Sequence, residues 1–275
     1  MTQVSIGEKH EEKEIKKILH PLVSEWFFGK FNAFSLTQQY GVLEIWNRND
    51  ILISAPTGGT KTLTAFLSIL NFLVGLAAEN KLEDKIYAIY TSPLKALSND
   101  IHKNLVDPLQ EITELAEKKG IKLQPIRVGL RTGDTTQSER AKMARKAPHI
   151  FVTTPESLAI VLTSKNFVEK MKAVEFCVVD EIHALDNKRG VYLSLTLERL
   201  NNISKIWPTK IGLSATVEPM EEVARYLVGE AKNRSVKYIR VPLSKTIDVD
   251  LLTPVEDLIE DKNITPSFYN LLDAL

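Results

Sequence analysis

The sequence contains one cysteine and no excess of charge of either sign. Its 275 residues include 35 Lys plus Arg and 35 Asp plus Glu, so the formal net charge is zero. A single cysteine excludes an internal disulfide and a cysteine-ligated zinc cluster. The balanced charge argues against a uniformly basic surface for nucleic acid, although it leaves local contacts open, because binding depends on where the charges lie.

Long apolar runs are also missing. No stretch reaches the 18 or so apolar residues that a membrane span requires, and the charged residues 1–17 lack the apolar stretch of a signal peptide. We therefore expect a cytoplasmic, reduced protein. The 44% apolar and 25% charged residues are ordinary for a globular domain.

Short apolar runs alternate with longer amphipathic segments along most of the chain. This alternation predicts an α/β fold with a central, mainly parallel sheet that carries helices on both faces. Such sheets bind ligands at the carboxyl ends of their strands. The predicted strands are residues 51–54, 86–91, 126–130, 150–153, 176–179, 210–213, 236–241 and 246–252. The predicted helices include residues 8–19, 37–48, 62–78 and 191–200.

A candidate phosphate-binding loop follows the first of these strands. Residues 55–62 read Ala-Pro-Thr-Gly-Gly-Thr-Lys-Thr and precede a predicted helix. Backbone N–H groups of Thr57 to Thr60 would surround phosphate oxygens, Lys61 would reach the terminal phosphates, and the Thr62 hydroxyl would bind magnesium. The strict pattern has glycine where this chain has Ala55 and Thr60. We expect the Thr60 Cβ to crowd the loop and its β-branched side chain to disfavour a positive φ.

Two carboxylates and a histidine follow the apolar run 176–179. Asp180 is suited to binding magnesium through the water shell of the metal, and Glu181 to orienting and deprotonating the water that attacks a γ-phosphate. His183 would hydrogen-bond toward the γ-phosphate or toward a neighbouring motif. One such motif, Ser214-Ala215-Thr216, follows another predicted strand and offers hydroxyls to His183. Cys177 lies within the strand and is predicted to be a buried apolar residue.

Several longer segments together resemble one family. They are residues 90–97 (YTSPLKAL), 128–134 (VGLRTGD), 138–140 (SER), 152–158 (VTTPESL), 179–185 (VDEIHAL), 188–190 (KRG) and 212–217 (GLSATV). The chain resembles the first RecA-like domain of a superfamily-two DExH helicase of the Lhr type, over about residues 31–260. The resemblance implies binding of ATP and magnesium and of a DNA or RNA strand.

The resemblance also implies roles for individual residues. Gln38 occupies the place of a glutamine that reads adenine, while an exposed helix-start residue is its alternative role. Lys61, Asp180 and Glu181 would be catalytic, and Ser214 to Thr216 would couple nucleotide state to the strand. Main-chain N–H groups, hydroxyls and cations at strand ends would grip the sugar–phosphate backbone without reading bases. The residues implied in this contact are Ser92, Pro93, Lys95, Arg131, Thr132, Gly133, Thr153, Thr154, Pro155 and Glu156.

Three segments are expected along the chain. Residues 1–30 form a helical N-terminal extension, residues 31–245 the RecA-like ATP-binding domain, and residues 246–275 a linker strand with the truncated start of a second RecA-like domain. A separate polypeptide is then one source of the missing second domain. The alternative is a non-catalytic module that binds nucleic acid or protein and has a degenerate phosphate loop. A motor subunit of a nuclease or restriction-type translocase is a third, weaker hypothesis.

The balanced charge is unevenly distributed. Residues 118–146 contain nine Lys or Arg and two Asp or Glu, whereas residues 248–261 contain six acids and no bases. The first stretch includes Arg131 and predicts a basic binding edge, and the second predicts an acidic linker.

Overall fold

The computed structural model describes residues 2–56, 60–93, 101–184, 188–215, 217–229 and 234–241. The predicted strand 246–252, the predicted linker and the predicted start of a second domain lie outside these residues. Residues 1–242 form one compact unit. The predicted boundaries at residues 30 and 245 stay predictions.

All eight strands of the described residues pair in parallel in one sheet. The α/β class with a central parallel sheet is thereby confirmed, and the order across the sheet is β1-β8-β2-β7-β6-β3-β5-β4. The strands are β1 (Gln3–Ile6), β2 (Asp50–Ser54), β3 (Ala88–Thr91), β4 (Val128–Arg131), β5 (Ile150–Thr153), β6 (Phe176–Val179), β7 (Thr209–Ser214) and β8 (Ser235–Arg240).

Ten α-helices occur in the described part of the chain. They are α1 (Glu12–Ile18), α2 (Pro21–Lys30), α3 (Leu36–Trp46), α4 (Lys61–Ala78), α5 (Asp107–Lys118), α6 (Gln137–Arg145), α7 (Pro155–Val161), α8 (Lys165–Met171), α9 (Lys188–Ile203) and α10 (Met220–Val228). A π-helical turn, His102–Val106, precedes α5, and a short 3-10 helix, Ile182–Ala184, follows β6.

The two faces of the sheet bury separate apolar clusters because successive strand side chains point to opposite faces. In β2, for example, Ile51 and Ile53 pack on the face that α1 to α5 cover, whereas Leu52 packs on the face of α7 to α10. Most strands are fully buried, which explains why they are continuous apolar runs in the sequence.

Helix α4 is the central helix of the first face. By length and composition it is apolar enough to cross a membrane, which differs from the expectation that no stretch is, yet 72% of its residues are buried inside the domain. We therefore assign α4 to the core of this α/β domain.

Strand β1 is not among the predicted strands. The segment Gln3–Ile6 falls in the predicted helical extension, but it pairs with β8 at the edge of the sheet, and the helices of the described residues 2–30 are α1 and α2. Three of its four residues are exposed, so it carries no apolar run by which it could be recognised. Its pairing with a strand more than 200 residues away is a tertiary contact.

Candidate functional site

Every predicted site residue that the structure describes lies at or beside the carboxyl edge of the sheet, except Gln38, which lies in α3. The residues predicted to bind nucleotide follow β2 and β6, the predicted coupling residues Ser214 and Ala215 lie at the end of β7, and those predicted to bind nucleic acid lie at or after the ends of β3, β5 and β4. The nucleotide set and the nucleic-acid set meet where β6 pairs with β3. Five predicted site residues lie outside the described part of the chain: Thr57, Gly58, Gly59, Lys95 and Thr216.

Lys61 is the first residue of α4, and its side chain turns back onto the preceding loop. Its ammonium donates to the backbone carbonyl of Ala55 at 2.5 Å and to that of Pro56 at 2.9 Å. The residue is only 6% exposed. Ala55, Pro56 and the start of α4 thus hold a cation beyond the end of β2, the position where a nucleotide phosphate is expected.

Thr60 caps α4 with an ordinary backbone conformation. Its φ is −80° and its ψ is 26°, and its carbonyl accepts hydrogen bonds from the Thr64 amide at 2.8 Å and hydroxyl at 2.7 Å. The Thr60 hydroxyl also hydrogen-bonds to that of Ser35. The backbone at this position does not require a positive φ, so the β-branched side chain is not disfavoured on that ground, and crowding of bound phosphates by the Thr60 Cβ stays a prediction.

Asp180 follows β6 and faces Thr62 across the sheet edge. Its Oδ2 lies 3.3 Å from the Thr62 hydroxyl and also accepts a hydrogen bond from the Tyr90 hydroxyl, while Oδ1 accepts the Glu181 amide at 2.7 Å. Burial raises the pKa of Asp180, and the hydrogen bonds from Tyr90 and Glu181 oppose that rise. The carboxylate is thus buried yet surrounded by donors.

The donor set of Thr62 and Asp180 fits magnesium. Magnesium prefers oxygen ligands and usually binds one or two protein oxygens together with waters and phosphates. Among the described residues, no group of three or more His, Cys, Asp or Glu side chains is arranged to hold a metal ion, so that part of the chain lacks a dedicated all-protein metal cage.

Glu181 has a positive φ of 53°. The left-handed region costs a non-glycine residue about 1 to 2 kcal/mol, and such strain concentrates at functional positions. The conformation places the Glu181 Oε2 3.0 Å from the His183 Nε2.

His183 connects Glu181 to the end of β7. Its Nδ1 lies 3.3 Å from both the Ala215 amide and the Ser214 hydroxyl. Because an amide can only donate, Nδ1 is the acceptor. The neutral ring then carries its proton on Nε2, and this N–H donates a hydrogen bond to Glu181. This places His183 between the predicted general base and the predicted coupling segment.

Gln38 lies in the first turn of α3 and is buried, 2% exposed. Its side-chain Oε1 accepts the Ser35 amide at 2.8 Å, and the Ser35 hydroxyl accepts the Gln38 amide at 3.3 Å, which together form a capping box. Gln38 therefore serves as a cap, and it reaches Thr60 of the phosphate loop through Ser35. The alternative of an exposed helix-start residue is wrong, because Gln38 is buried, and its contact with adenine stays a prediction.

The residues at the ends of β3 and β5 are mostly buried. The Ser92 amide donates to the Thr153 carbonyl at 3.2 Å, and the Thr153 hydroxyl donates to the Arg131 carbonyl at 2.8 Å. Thr154 caps α7, and its hydroxyl accepts the Ser157 amide at 3.3 Å. These hydrogen bonds join neighbouring strand ends and cap α7, and among the described members of the two segments Pro93 and Glu156 are partly exposed. Pro155, the first residue of α7, is buried.

A turn follows β4 and is hydrogen-bonded to a side chain of α6. The Thr132 amide donates to the Thr135 hydroxyl at 2.8 Å, and an Arg140 Nη2 donates to the Gly133 carbonyl at 2.8 Å. Arg131 lies over the Phe167 ring at 5.2 Å, and its pKa is lowered by burial and by the nearby charge of Arg140. Two guanidinium groups therefore lie near one exposed turn, which favours an anion there.

The basic stretch 118–146 does not lie along one edge of the sheet. Arg127 precedes β4 at the amino edge of the sheet, where it pairs with Asp84 at 2.9 Å. Lys119, at the end of α5, pairs with Glu25 at 2.7 Å. Arg131 lies at the other end of β4. The stretch therefore crosses the sheet from one edge to the other, and a locally basic binding edge around Arg131 stays a prediction.

Three residues of the site carry no role predicted from the sequence. Tyr90 and Arg140 belong to the motif segments, and Ser35 lies just before the predicted helix that contains Gln38. A tyrosine in a strand that is predicted to be buried is one signal in the sequence, because a buried hydroxyl requires a hydrogen-bond partner.

The family of the chain follows from comparison with known proteins. The family model described as DEAD/DEAH box helicase matches residues 35–224, from the cap of α3 to α10. The chain belongs to the DEAD/DEAH box helicase family. The matched range contains every described site residue.

Within this helicase family the chain is similar to the Lhr proteins. It is 47% identical to the ATP-dependent helicase Lhr-Core of Methanocaldococcus jannaschii over 98% of the chain and 32% of that relative. It is 36% identical to the Lhr helicase/uracil glycosylase of Escherichia coli over 88% of the chain and 16% of that relative. The chain thus spans about a third or less of these curated relatives.

Solved helicase structures share the fold. The Mycobacterium smegmatis helicase Lhr bound to ssDNA and AMP-PNP superposes with a TM-score of 0.77 at 38% identity, over 92% of this chain and 32% of that one. Mss116p bound to ssRNA and AMP-PNP superposes with a TM-score of 0.70 at 17% identity, over 87% of this chain and 48% of that one, which indicates a common RecA-like fold.

Proposed function

We propose that this chain is the ATP-binding and nucleic-acid-binding motor half of an Lhr-like, ATP-dependent DNA or RNA helicase. One observation carries the proposal: a single sheet edge joins Lys61, Thr62, Asp180 and Glu181 to the described residues that follow β3, β5 and β4. A cytoplasmic location belongs to the same proposal.

In the proposed nucleotide site, Lys61 exchanges its bonds to loop carbonyls for bonds to the terminal phosphates. Thr62 and Asp180 hold magnesium, which when bound supplies charge neutralisation at the phosphate oxygens. Glu181 orients the attacking water and accepts its proton. The contact between the Glu181 carboxylate and the His183 Nε2 fixes the orientation of the carboxylate, and the same histidine contacts the Ala215 amide.

The proposed nucleic-acid site grips one strand by its backbone. Arg131, Thr132 and Gly133 present a cation, a hydroxyl and exposed backbone at one turn, and Ser92 and Thr153 to Glu156 shape the neighbouring strand ends. Similar helicases have been solved with ssDNA or ssRNA bound, which supports a single strand as the ligand. Such contacts carry no base preference.

We infer that the chain alone unwinds nothing. Helicases of this kind close two RecA-like domains on ATP, and arginines from the second domain raise the rate by orders of magnitude. The proposed partner is a second RecA-like domain, in a continuation of the chain or in another polypeptide. The length of the relatives, of which the chain spans 32%, supports this partner.

The test uses the purified 275-residue chain with Lys61→Ala and Glu181→Gln variants. Calorimetry with MgATP is expected to detect binding by the wild type and by Glu181→Gln, and at least about tenfold weaker binding by Lys61→Ala. Slow ATP hydrolysis should disappear in Glu181→Gln. Fluorescence polarisation with labelled single strands measures nucleic-acid binding, for which Arg131→Ala is the test variant.

Two results would contradict the proposal. Absence of MgATP binding by the wild-type chain would remove the nucleotide site. Robust strand separation by the 275-residue chain would contradict the requirement for a second domain.

A further inference from the structure

Tyr90 lies at the junction between the two parts of the site. It belongs to β3, the first strand of the nucleic-acid part, and β3 pairs with β6, the strand that ends at Asp180. In this register Tyr90 is opposite Val178, two residues before Asp180. Since side chains two residues apart share a face of the sheet, the tyrosine and the carboxylate point to the same face.

The tyrosine ring is held in place by α4. Tyr90 is 1% exposed, and its ring stacks on that of Phe66 with centroids 5.2 Å apart and an interplanar angle of 28°. Phe66 is four residues after Thr62, so both side chains project from one face of α4. The same helix therefore positions the Tyr90 ring and the Thr62 hydroxyl.

The Tyr90 hydroxyl donates to Asp180 Oδ2, the oxygen that also faces Thr62. The other oxygen, Oδ1, accepts the Glu181 amide. With each oxygen bonded on a different side, the carboxylate plane is fixed. A phenylalanine would fill the same space and stack on Phe66, so the hydroxyl is the part of Tyr90 that packing does not explain.

We propose that Tyr90 is a positioning residue for the magnesium–nucleotide complex, holding the Asp180 carboxylate in the orientation that faces Thr62. This inference rests on the proposed function, because it assumes that Asp180 and Thr62 bind the metal of a nucleotide. Tyr90 belongs to the strand that leads into the nucleic-acid part. Its aromatic ring packs on Phe66, and its hydroxyl orients the Asp180 carboxylate.

The experiment compares Tyr90→Phe with Tyr87→Phe in the full 275-residue chain. Tyr87 is a matched control, because it is also buried, at 2% exposed, and its hydroxyl also makes a hydrogen bond, accepting the Glu83 amide at 2.9 Å. That bond lies at the amino edge of the sheet, away from Asp180. Both substitutions remove one buried hydroxyl and keep the ring.

The measurement is the affinity for ADP by calorimetry, once with excess Mg²⁺ and once with EDTA. For Tyr90→Phe we expect the dissociation constant of the magnesium form to rise about tenfold, since a lost hydrogen bond to a carboxylate costs that much, while metal-free ADP binds as in the wild type. Higher Mg²⁺ should partly restore binding. Tyr87→Phe should bind both forms like the wild type.

Three outcomes would overturn the role of Tyr90 while leaving the nucleotide site intact. These are unchanged binding of the magnesium form by Tyr90→Phe, an equal loss with and without the metal, or the same loss in Tyr87→Phe. A wild-type chain that binds neither form would overturn the proposed function and this inference with it. Urea unfolding of both variants verifies that they fold.

Discussion

Replacing Thr60 by glycine restores the residue that the strict phosphate-loop pattern has at this position. If the threonine obstructs the loop, the substitution should improve nucleotide binding. The structure predicts otherwise, because Thr60 has a φ of −80° and therefore needs no glycine. We expect the affinity for MgATP to change by less than about tenfold, or 1.4 kcal/mol.

The cost in stability has two contributions. The substitution removes the hydrogen bond between the hydroxyls of Thr60 and Ser35, which contributes about 1 kcal/mol. It also adds backbone freedom to the unfolded chain, which lowers the free energy of unfolding by a further amount of about 0.5 to 1 kcal/mol. We therefore expect the free energy of unfolding to fall by about 2 kcal/mol in Thr60→Gly.

Two further variants separate these contributions. Thr60→Ala loses the hydroxyl but keeps the Cβ, so its loss should be about 1 kcal/mol. Thr60→Ser keeps both and should unfold like the wild type. Urea denaturation measures stability, and calorimetry with MgATP measures affinity. A gain of tenfold or more in Thr60→Gly would refute this reasoning and favour the non-catalytic alternative with an obstructed loop.

Three other predictions follow from buried groups. In Gly41→Ala the new Cβ would lie 2.7 Å from Thr64 Cγ2 and 2.9 Å from Ile53 Cδ1; urea unfolding should show a loss of about 1 to 3 kcal/mol. The control is Gly75→Ala in α4, where the new Cβ meets open space, and its free energy of unfolding should rise by about 0.5 to 1 kcal/mol. Equal effects of the two substitutions would contradict the close packing around Gly41. Burial lowers the pKa of His149 from 6.5 to about 4. As the pH falls from 6.5 to 4, the unfolded state binds a proton before the folded state does, so the free energy of unfolding should fall by about 3 kcal/mol. His149→Asn should flatten this dependence in denaturation curves taken at several pH values, whereas His102→Asn, on the surface, should retain it. Burial raises the pKa of Cys177 to about 12, so iodoacetamide should label this thiol only after unfolding, and fast labelling of the native chain would contradict its burial.

The sequence by itself determined the fold class and the places where chemistry is expected. Buried parallel strands must be continuous apolar runs, so β5 and β6 were predicted at their observed bounds, and Cys177 was predicted to be buried. Lys61, Asp180 and Ser214 are at or just beyond strand ends for the same reason: in a parallel sheet the carboxyl ends form one edge.

Only the tertiary structure decided which of these strand ends are neighbours. The order β6-β3 brings Tyr90 to Asp180 although 90 residues separate them in the chain. Arg127 and Arg131 are four residues apart, yet β4 carries one to Asp84 at the amino edge and the other to the turn at the carboxyl edge. Strand order and strand direction are set by packing between distant segments, and a local sequence pattern carries no information about such contacts.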